Sequence, residues 1–495
     1  MGFSKKKKDR PSAATTTSNT NIPIPPPHVK AWVPYLGSAV EMGAGAVKFI
    51  QSRSKALQSP VFTATILGDK CVFVGDPECI NECFNHKYDQ HLDMKDLEQD
   101  FNLRIQDCNE EELKEVESSR TLERSLCKQF WVDDRQALEQ TMNAVQQQLR
   151  QQLLPKLVTP DQKWTQQDMY SMVYATVFQS TVGTVLACRN LETDEKGLQA
   201  FRDFEKGVLM MCSHAPKVIL QKAYHGRSVV LEKLANERHK ETATTSCPFM
   251  AKYTKDMKLS AGALQKSLLI LMWQMCQNSA PAIFWALLHL MEDPRAWKAC
   301  RSQVEKVLST TTTTNHGDSP ENDSMKLWTL EDLDQLTLLE STLWEAIRMY
   351  QVNVQARVVA EDFVLETPKG DFQIEKGSKL MPTWAVLYKD PVIFDKADHF
   401  EYDRFVDPSQ TYKYPSGKEV PFFPIVAFAG GGDENICPGR KLFFYQAKLM
   451  LAELLLHYDM KLAPGQSLPS VDSHQQGIGV TRPDKEIQVL IQKRG

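Results

Sequence analysis

The sequence predicts a mainly α fold with small β-sheets, one large helix-rich domain with a β-rich N-terminal region. Residues 97–305 hold few glycines and repeat Leu, Gln, Glu and Lys at helical spacing. Short β-rich runs fall outside that stretch, on both sides of it. The chain has 495 residues, 42% of them hydrophobic and 9% aromatic, enough apolar surface for one large core. Length alone fits about three domains equally well.

In chain order, Met1 to Thr20 carries Lys5 to Lys8 followed by Ala, Thr, Ser and Asn, with no apolar stretch. It is not a secretory signal and reads as a disordered basic tail. Ile22 to Pro27 (Ile-Pro-Ile-Pro-Pro-Pro) reads as a stiff linker. Residues 1–28 are therefore expected to be tail and linker, and 29–495 one domain whose order begins near Trp32–Gly37. Val61–Leu67 and Cys71–Val74 flank Gly68-Asp69-Lys70, a hairpin signal that gives a small N-terminal sheet. Arg135–Leu154 and Met169–Cys188 have helical periodicity. Leu268–Met291 is apolar nearly all round and must be a buried helix, which Pro281 is expected to kink, opening a groove.

Ser309 to Asp323 is polar and low in complexity, and predicts a surface loop before a helix capped near Thr329. Leu338–Tyr350 predicts a helix, and Arg357–Ile374 alternates around Pro368-Lys369-Gly370, predicting a second small sheet. After the glycines at 430, 431 and 432, a helix is expected to bury Phe444, Ala447, Leu451, Leu454, Leu455 and Tyr458. A hairpin over Gly477–Ile491 ends the chain.

Composition excludes several functions. Lys and Arg number 58 against 62 Asp and Glu, a net charge of −4, so there is no basic field for a nucleic acid. Eleven cysteines without CxxC spacing read as reduced thiols facing the cytosol. The longest apolar run, Ser267–Cys276, is far short of the ~20 residues a bilayer span needs, so no transmembrane helix is expected.

Cys437 sits in a glycine-rich loop directly before a helix, Phe428-Ala-Gly-Gly-Gly-Asp-Glu-Asn-Ile-Cys437-Pro438-Gly439-Arg440. Backbone N–H groups and the positive helix end are expected to lower its pKa and suit it to a metal. One thiolate cannot hold zinc alone, but it suffices as the axial ligand of haem iron. By itself the loop reads equally well as a turn around a buried structural thiol. Glu345 and Arg348 stand at i,i+3 on a helix where their side chains can meet, and Arg404 lies further on. Such a pair is commonly a solvated surface feature.

Taken together, Glu345-x-x-Arg348, Arg404 and Cys437 resemble the cytochrome P-450 (cytochrome P450) superfamily over nearly all of residues 29–493. The wording of Trp32–Gly37, Val61–Thr63, Gln277–Trp285 and Ile436–Arg440 is most like the branch containing the steroid 7α- and 12α-hydroxylases and prostacyclin synthase. The resemblance implies the cytochrome P-450 fold and haem b, with Cys437 as axial iron ligand and Phe428, Arg440 and Arg357 as further cofactor-binding residues, Arg357 toward a haem propionate. It implies Glu345, Arg348 and Arg404 as a structural triad, and a substrate pocket lined by Trp273, Val354, Ile478 and Val480. Val352–Gln355 and Gly477–Val480 belong to that pocket as small or apolar walls. Asn278 and Ser279 fall where the family places an acid–alcohol pair, and are expected as the catalytic residues, Ser279 passing protons through water and Asn278 orienting the chain or capping a carbonyl.

The sequence departs from the family in places. Two extra residues separate Phe428 from Cys437 and are expected to displace the aromatic from the thiolate. Asn435 replaces a usual Arg or His, and Phe443 a small residue. Trp131 and Arg135 match a haem-clamp spacing in a context that resembles the branch without that clamp.

The resemblance implies a haem-thiolate monooxygenase in which Cys437 donates electron density and favours O–O cleavage, hydroxylating a sterol-like or other lipophilic substrate. With no flavin or nicotinamide motif, it needs an NADPH-cytochrome P-450 reductase or similar donor, docking near Arg440 and Lys441. An isomerase or lyase acting on a lipid peroxide without external electrons is the alternative, and a non-catalytic haem protein a further one. A monomer is expected, peripherally attached to the cytosolic face of the endoplasmic reticulum.

Overall fold

The computed structural model describes residues 22–93, 95–159, 163–213, 215–236, 248–314, 327–420, 428 and 436–494. The basic tail, the glycines at 430–432, Asn435 and the loop at 315–323 lie outside the described residues.

In chain order the strands are β1 (Val61–Ile66), β2 (Asp69–Val74), β3 (Leu92–Asp93), β4 (Thr165–Asp168), β5 (Arg357–Val359), β6 (Phe363–Thr367), β7 (Gly370–Ile374), β8 (Lys379–Leu380), β9 (Tyr458–Leu462) and β10 (Gln488–Lys493). The β1–β2 hairpin forms as read, with Val61 opposite Val74 and the turn taken by Leu67 and Gly68 at φ 51° and 92°. It does not stand alone. One five-stranded sheet runs β1-β2-β8-β5-β3, so the expected N-terminal sheet and part of the expected second sheet are a single structure. Local alternation marks strands but does not name partners about 300 residues away. The rest of the second sheet is the hairpin β6–β7.

The terminal segment departs from the expected hairpin. β10 pairs antiparallel with β9 and β4, while Gly477 and Val480 bridge to Asn353 and Gln351. The proline-rich stretch is stitched down at its end. Ile24 N–H donates to Asp371 O at 3.0 Å, and Thr63 N–H to Pro27 O at 2.9 Å.

The longer helices are α1 (Glu110–Lys128), α2 (Arg135–Gln148), α3 (Met169–Ser180), α4 (Glu195–Cys212), α5 (Gln221–Ala235), α6 (Ala261–Glu292), α7 (Pro294–Thr314), α8 (Thr337–Tyr350) and α9 (Arg440–His457). α2 and α3 end before their periodicity does and pass into π-helical turns at Leu149–Leu153 and Thr181–Val185. α7 absorbs the start of the expected loop. The Ser309 and Thr310 hydroxyls both donate to Lys306 O at 2.9 Å, bonding back to the helix rather than breaking it. Tyr458, expected on α9, begins β9 instead.

α6 is the centre of the molecule. Ser260 caps it, and it runs unbroken through Pro281. It is buried nearly all round, as an apolar helix must be. Trp285 on α6 stacks on Tyr350 of α8 with centroids 3.9 Å apart, and its indole N–H donates to Thr481 O at 2.8 Å.

α8 is tied to the following chain by charge. Glu345 and Arg348 have no exposure and form a two-point pair, 2.8 and 2.9 Å. Arg404 Nε reaches both oxygens of Glu345 at 3.1 Å, and the two guanidinium groups also donate to the carbonyls of Tyr388, Ala397 and Asp395, each at 2.8 Å. The solvated-surface reading of the pair is therefore corrected, because both partners lie inside the fold. Among the described residues no helix is long and apolar enough to cross a membrane.

Removing the carboxylate strands two buried guanidinium groups, a loss of about 3–5 kcal/mol. Glu345→Ala is thus expected to lower the urea midpoint sharply. A midpoint within error of the native chain would show the charges to be compensated elsewhere.

Candidate functional site

Cys437 lies at the mouth of α9. Its N–H donates to Phe428 O at 3.0 Å, and Arg440 Nη1 donates to Cys437 O at 3.0 Å. Two residues from the far end of α1 and just beyond it fix the same loop: Arg124 Nη2 donates to Ile436 O at 2.7 Å, and Val132 O accepts from Lys441 Nζ at 2.8 Å. Sequence spacing holds no signal for either tie, since about 300 residues intervene.

Burial pushes the Cys437 thiol up, against the expected fall. The N–H groups of Gly439 and Arg440, and the charges of Arg124 and Arg440, pull the other way without overcoming it. The helix-end reading lacked the low dielectric around the sulfur. The two extra residues before Cys437 lie outside the described residues, and Phe428 itself lines the same cavity as the thiol. Its carbonyl holds Cys437, and its ring packs against Trp344, Phe443 and Phe444 at 5.5, 6.4 and 6.1 Å.

The thiol loop forms one wall of a cavity of about 380 Å³. Phe428, Cys437, Arg440 and Phe443 lie on that side, with Cys127 and Trp131 beside them. The facing wall is α6, through Leu271, Trp273, Met275, Gln277, Asn278, Ser279 and Ala282. The rest comes from Ile347, the 351–355 strand segment and Ile478–Val480. The indole N–H groups of Trp131 and Trp273 are buried and have no acceptor among the described residues.

Of the expected pocket residues, Trp273, Ile478 and Val480 line the cavity and Val354 does not. Alternation explains the correction. In an extended segment successive side chains point to opposite sides, and here Gln351, Asn353 and Gln355 take the cavity side. That wall is polar, not apolar as expected. Val354 N–H donates to Gly477 O at 3.0 Å.

Asn278 and Ser279 both line the cavity, each already engaged. Asn278 Oδ1 accepts from Val480 N–H at 3.0 Å, and Ser279 Oγ donates to Met275 O at 2.6 Å. Asn278 therefore holds a neighbouring turn rather than the helix's own carbonyl. Gln277, which the sequence reading passed over, donates to Ile478 O.

Arg357 is half-buried on β5, donates to Ala356 O at 3.1 Å and is not among the cavity-lining residues. The Trp131–Arg135 spacing splits. Trp131 faces the cavity, but Arg135 is drawn outward by Glu331 and Asp334, each at 2.9 Å. Glu345, Arg348 and Arg404 stand outside the cavity, in the ion cluster behind α8.

α1 carries one further titrating group beside this site. Burial raises the Glu123 carboxyl to about 7, opposed by the Arg120 charge. A carboxyl that binds its proton more tightly when folded stabilises the fold below the unfolded pKa, and that stability is lost as pH rises through about 7. Glu123→Gln is expected to match the native chain near pH 4 and to gain on it between pH 4.5 and 7, as followed by urea midpoints. Parallel midpoints across that window would refute the burial of this group.

Comparison with known proteins bears on this geometry. A family model described as Cytochrome P450 matches residues 26–491. The chain is 23% identical over 478 residues to "Cytochrome P450 7A1" of Sus scrofa, covering 94% of this chain and 92% of that protein. It is 24% identical over 488 residues to "5-beta-cholestane-3-alpha,7-alpha-diol 12-alpha-hydroxylase" of Sus scrofa, again covering 94% and 92%. Among solved structures, "Retinoic acid bound cyanobacterial CYP120A1" superposes with a TM-score of 0.70 at 17% identity, covering 95% of this chain and 100% of that one, a likeness of fold.

Proposed function

The chain belongs to the cytochrome P450 family and is a haem-dependent monooxygenase, and from that premise we propose that it hydroxylates a sterol or sterol-like lipid. Its cofactor is haem b, with NADPH acting through a reductase. The observation that carries the reading is one cavity with Cys437 on one side, α6 on the other, and the amides of Gln351, Asn353 and Gln355 among its lining. Relatives named as a cholesterol 7-alpha-monooxygenase and a 12-alpha-hydroxylase support the sterol class.

The residues present fit a haem. Cys437 would supply the axial soft ligand, and the Trp131 indole N–H, buried without an acceptor among the described residues, would suit a porphyrin carboxylate, as would Arg440 in the same lining. When bound, the haem supplies oxygen activation and oxidation of a C–H bond. The protein's part is placement and proton control. Leu271, Met275, Ala282, Ile347 and Ile478 exclude water and match a hydrocarbon skeleton. Gln351, Asn353 and Gln355 offer amides to a substrate hydroxyl or ketone. Asn278 cannot ionise. Ser279 Oγ donates to Met275 O and keeps its lone pairs free to accept from a water that would bring the proton.

The electron donor is a separate reductase, docking on the Cys437 side of the molecule, and the protein works as a monomer held peripherally at the cytosolic face of the endoplasmic reticulum. Lys441 there is exposed along part of its length although its ammonium is tied to Val132 O.

Spectral titration with steroids, terpenoids and fatty-acid peroxides tests the substrate class, and turnover is then compared with and without reductase and NADPH. A hydroxylated sterol formed only with both is expected. Rearrangement of an endoperoxide without them, and no hydroxylation with them, would overturn the reading in favour of a lyase or isomerase. Cys437→Ser is expected to lose the thiolate-type carbon-monoxide spectrum. An unchanged spectrum would remove Cys437 as the iron ligand.

A further inference from the structure

We propose that Asn278 is a positioning residue whose side-chain oxygen latches the Gly477–Val480 turn onto α6, fixing the cavity wall that selects which substrate carbon is oxidised. The word substrate rests on the monooxygenase reading. The latch itself is a feature of the fold.

The turn is held from two sides. On one, its backbone pairs with the strand segment after α8: Val352 N–H donates to Gly479 O at 2.8 Å, Gly477 N–H to Val352 O at 3.1 Å and Val354 N–H to Gly477 O at 3.0 Å. On the other, two adjacent side chains of α6 take the groups that remain. Asn278 Oδ1 accepts from Val480 N–H, and Gln277 Nε2 donates to Ile478 O. Neighbouring helix positions point about 100° apart. Both contacts therefore require the turn to straddle the helix, which fixes it in rotation as well as distance.

The turn residue between these contacts is matched to the latch. Gly479 sits at φ +67°, in the left-handed region, and a Cβ there would overlap Asn278 Oδ1 and lie 2.8 Å from its Cγ. A side chain at 479 and an amide at 278 exclude each other. Ile478 and Val480, on either side of that glycine, carry the side chains that line the cavity. A shift of the turn moves both hydrophobic groups against the substrate, and a misplacement of about 1 Å at such a wall changes which atom is presented.

The test uses the purified full-length holoprotein and reads amide exchange at Val480, ligand-binding spectra and the pattern of hydroxylated products. Asn278→Ala and Gly479→Ala are each expected to speed exchange about tenfold, to weaken ligand binding and to turn one principal product into several. Asn278→Asp keeps an acceptor oxygen on Cγ and is expected to retain slow exchange at Val480, separating the contact from the loss of the side chain. In the double variant the effects are less than additive, because each substitution removes the same contact. Should Asn278→Ala not fold, Gly479→Ala and Asn278→Asp carry the comparison. Native protection at Val480 in the Ala variants overturns the latch whatever the enzyme's activity. Faster exchange with an unchanged product pattern overturns its role in selecting the carbon. Failure of the native chain to hydroxylate counts against the functional reading alone, and the exchange comparison still decides the latch.

Discussion

The burial of α6 is the constraint from which the site follows. Thirty-two residues make a rod about 48 Å long, and its apolar surface is covered on nearly every side, by α3, α8, α9 and α5 among others. A close-packed helix of that kind does not slide or rotate without opening voids, so it acts as a fixed reference for what packs on it. Buried polar groups on such a rod need partners. Gln277, Asn278 and Ser279 occupy one turn, and it is there that the cavity opens and the Gly477–Val480 turn crosses. The polar residues of α6 therefore mark the place where its apolar jacket is interrupted.

The opposite wall is held by a different kind of bond. Around Cys437 the described residues are held both by local bonds, from Cys437 N–H to Phe428 O and from Arg440 to Cys437 O, and by long-range ties from Arg124 to Ile436 O and from Lys441 to Val132 O. Cationic groups are thereby brought near the sulfur while burial still disfavours the thiolate. A positively charged group bound at the sulfur would add to the pull of Arg124 and Arg440 and favour the thiolate.

Much of this was legible in the sequence where a signal is local. The all-round apolar pattern marks α6, Glu345-x-x-Arg348 marks two side chains that do meet, and Cys437 before a helix marks a thiol that does line the cavity. What local pattern does not encode is pairing and facing. β5 and β8 join β2 across about 300 residues, and a one-residue register difference puts Gln351, Asn353 and Gln355 rather than Val354 into the cavity. The outward turn of Arg135 depends on Glu331 and Asp334, which no spacing rule connects to it. Ser309 and Thr310 read as loop by composition and are helical, because their hydroxyls have Lys306 O to bond.

The position of Asn278 also changes what its identity can be used to argue. In the sequence, an amide where the family carries an acid stands as a reason to expect chemistry without oxygen activation, together with the two extra residues before Cys437. In the structure the amide has its own occupation, as acceptor for Val480 N–H across from a glycine that leaves no other side chain room. An acid there would place a charge in a desolvated wall to make the same hydrogen bond. Phe428 is bonded to Cys437 and packed in its aromatic cluster. The contact of Asn278 with Val480 gives the amide a structural occupation that holds for a hydroxylase and a lyase alike. On the function proposed above, proton supply would fall to Ser279 and water, and its rate would then be sensitive to the room left beside the Ile478–Val480 wall.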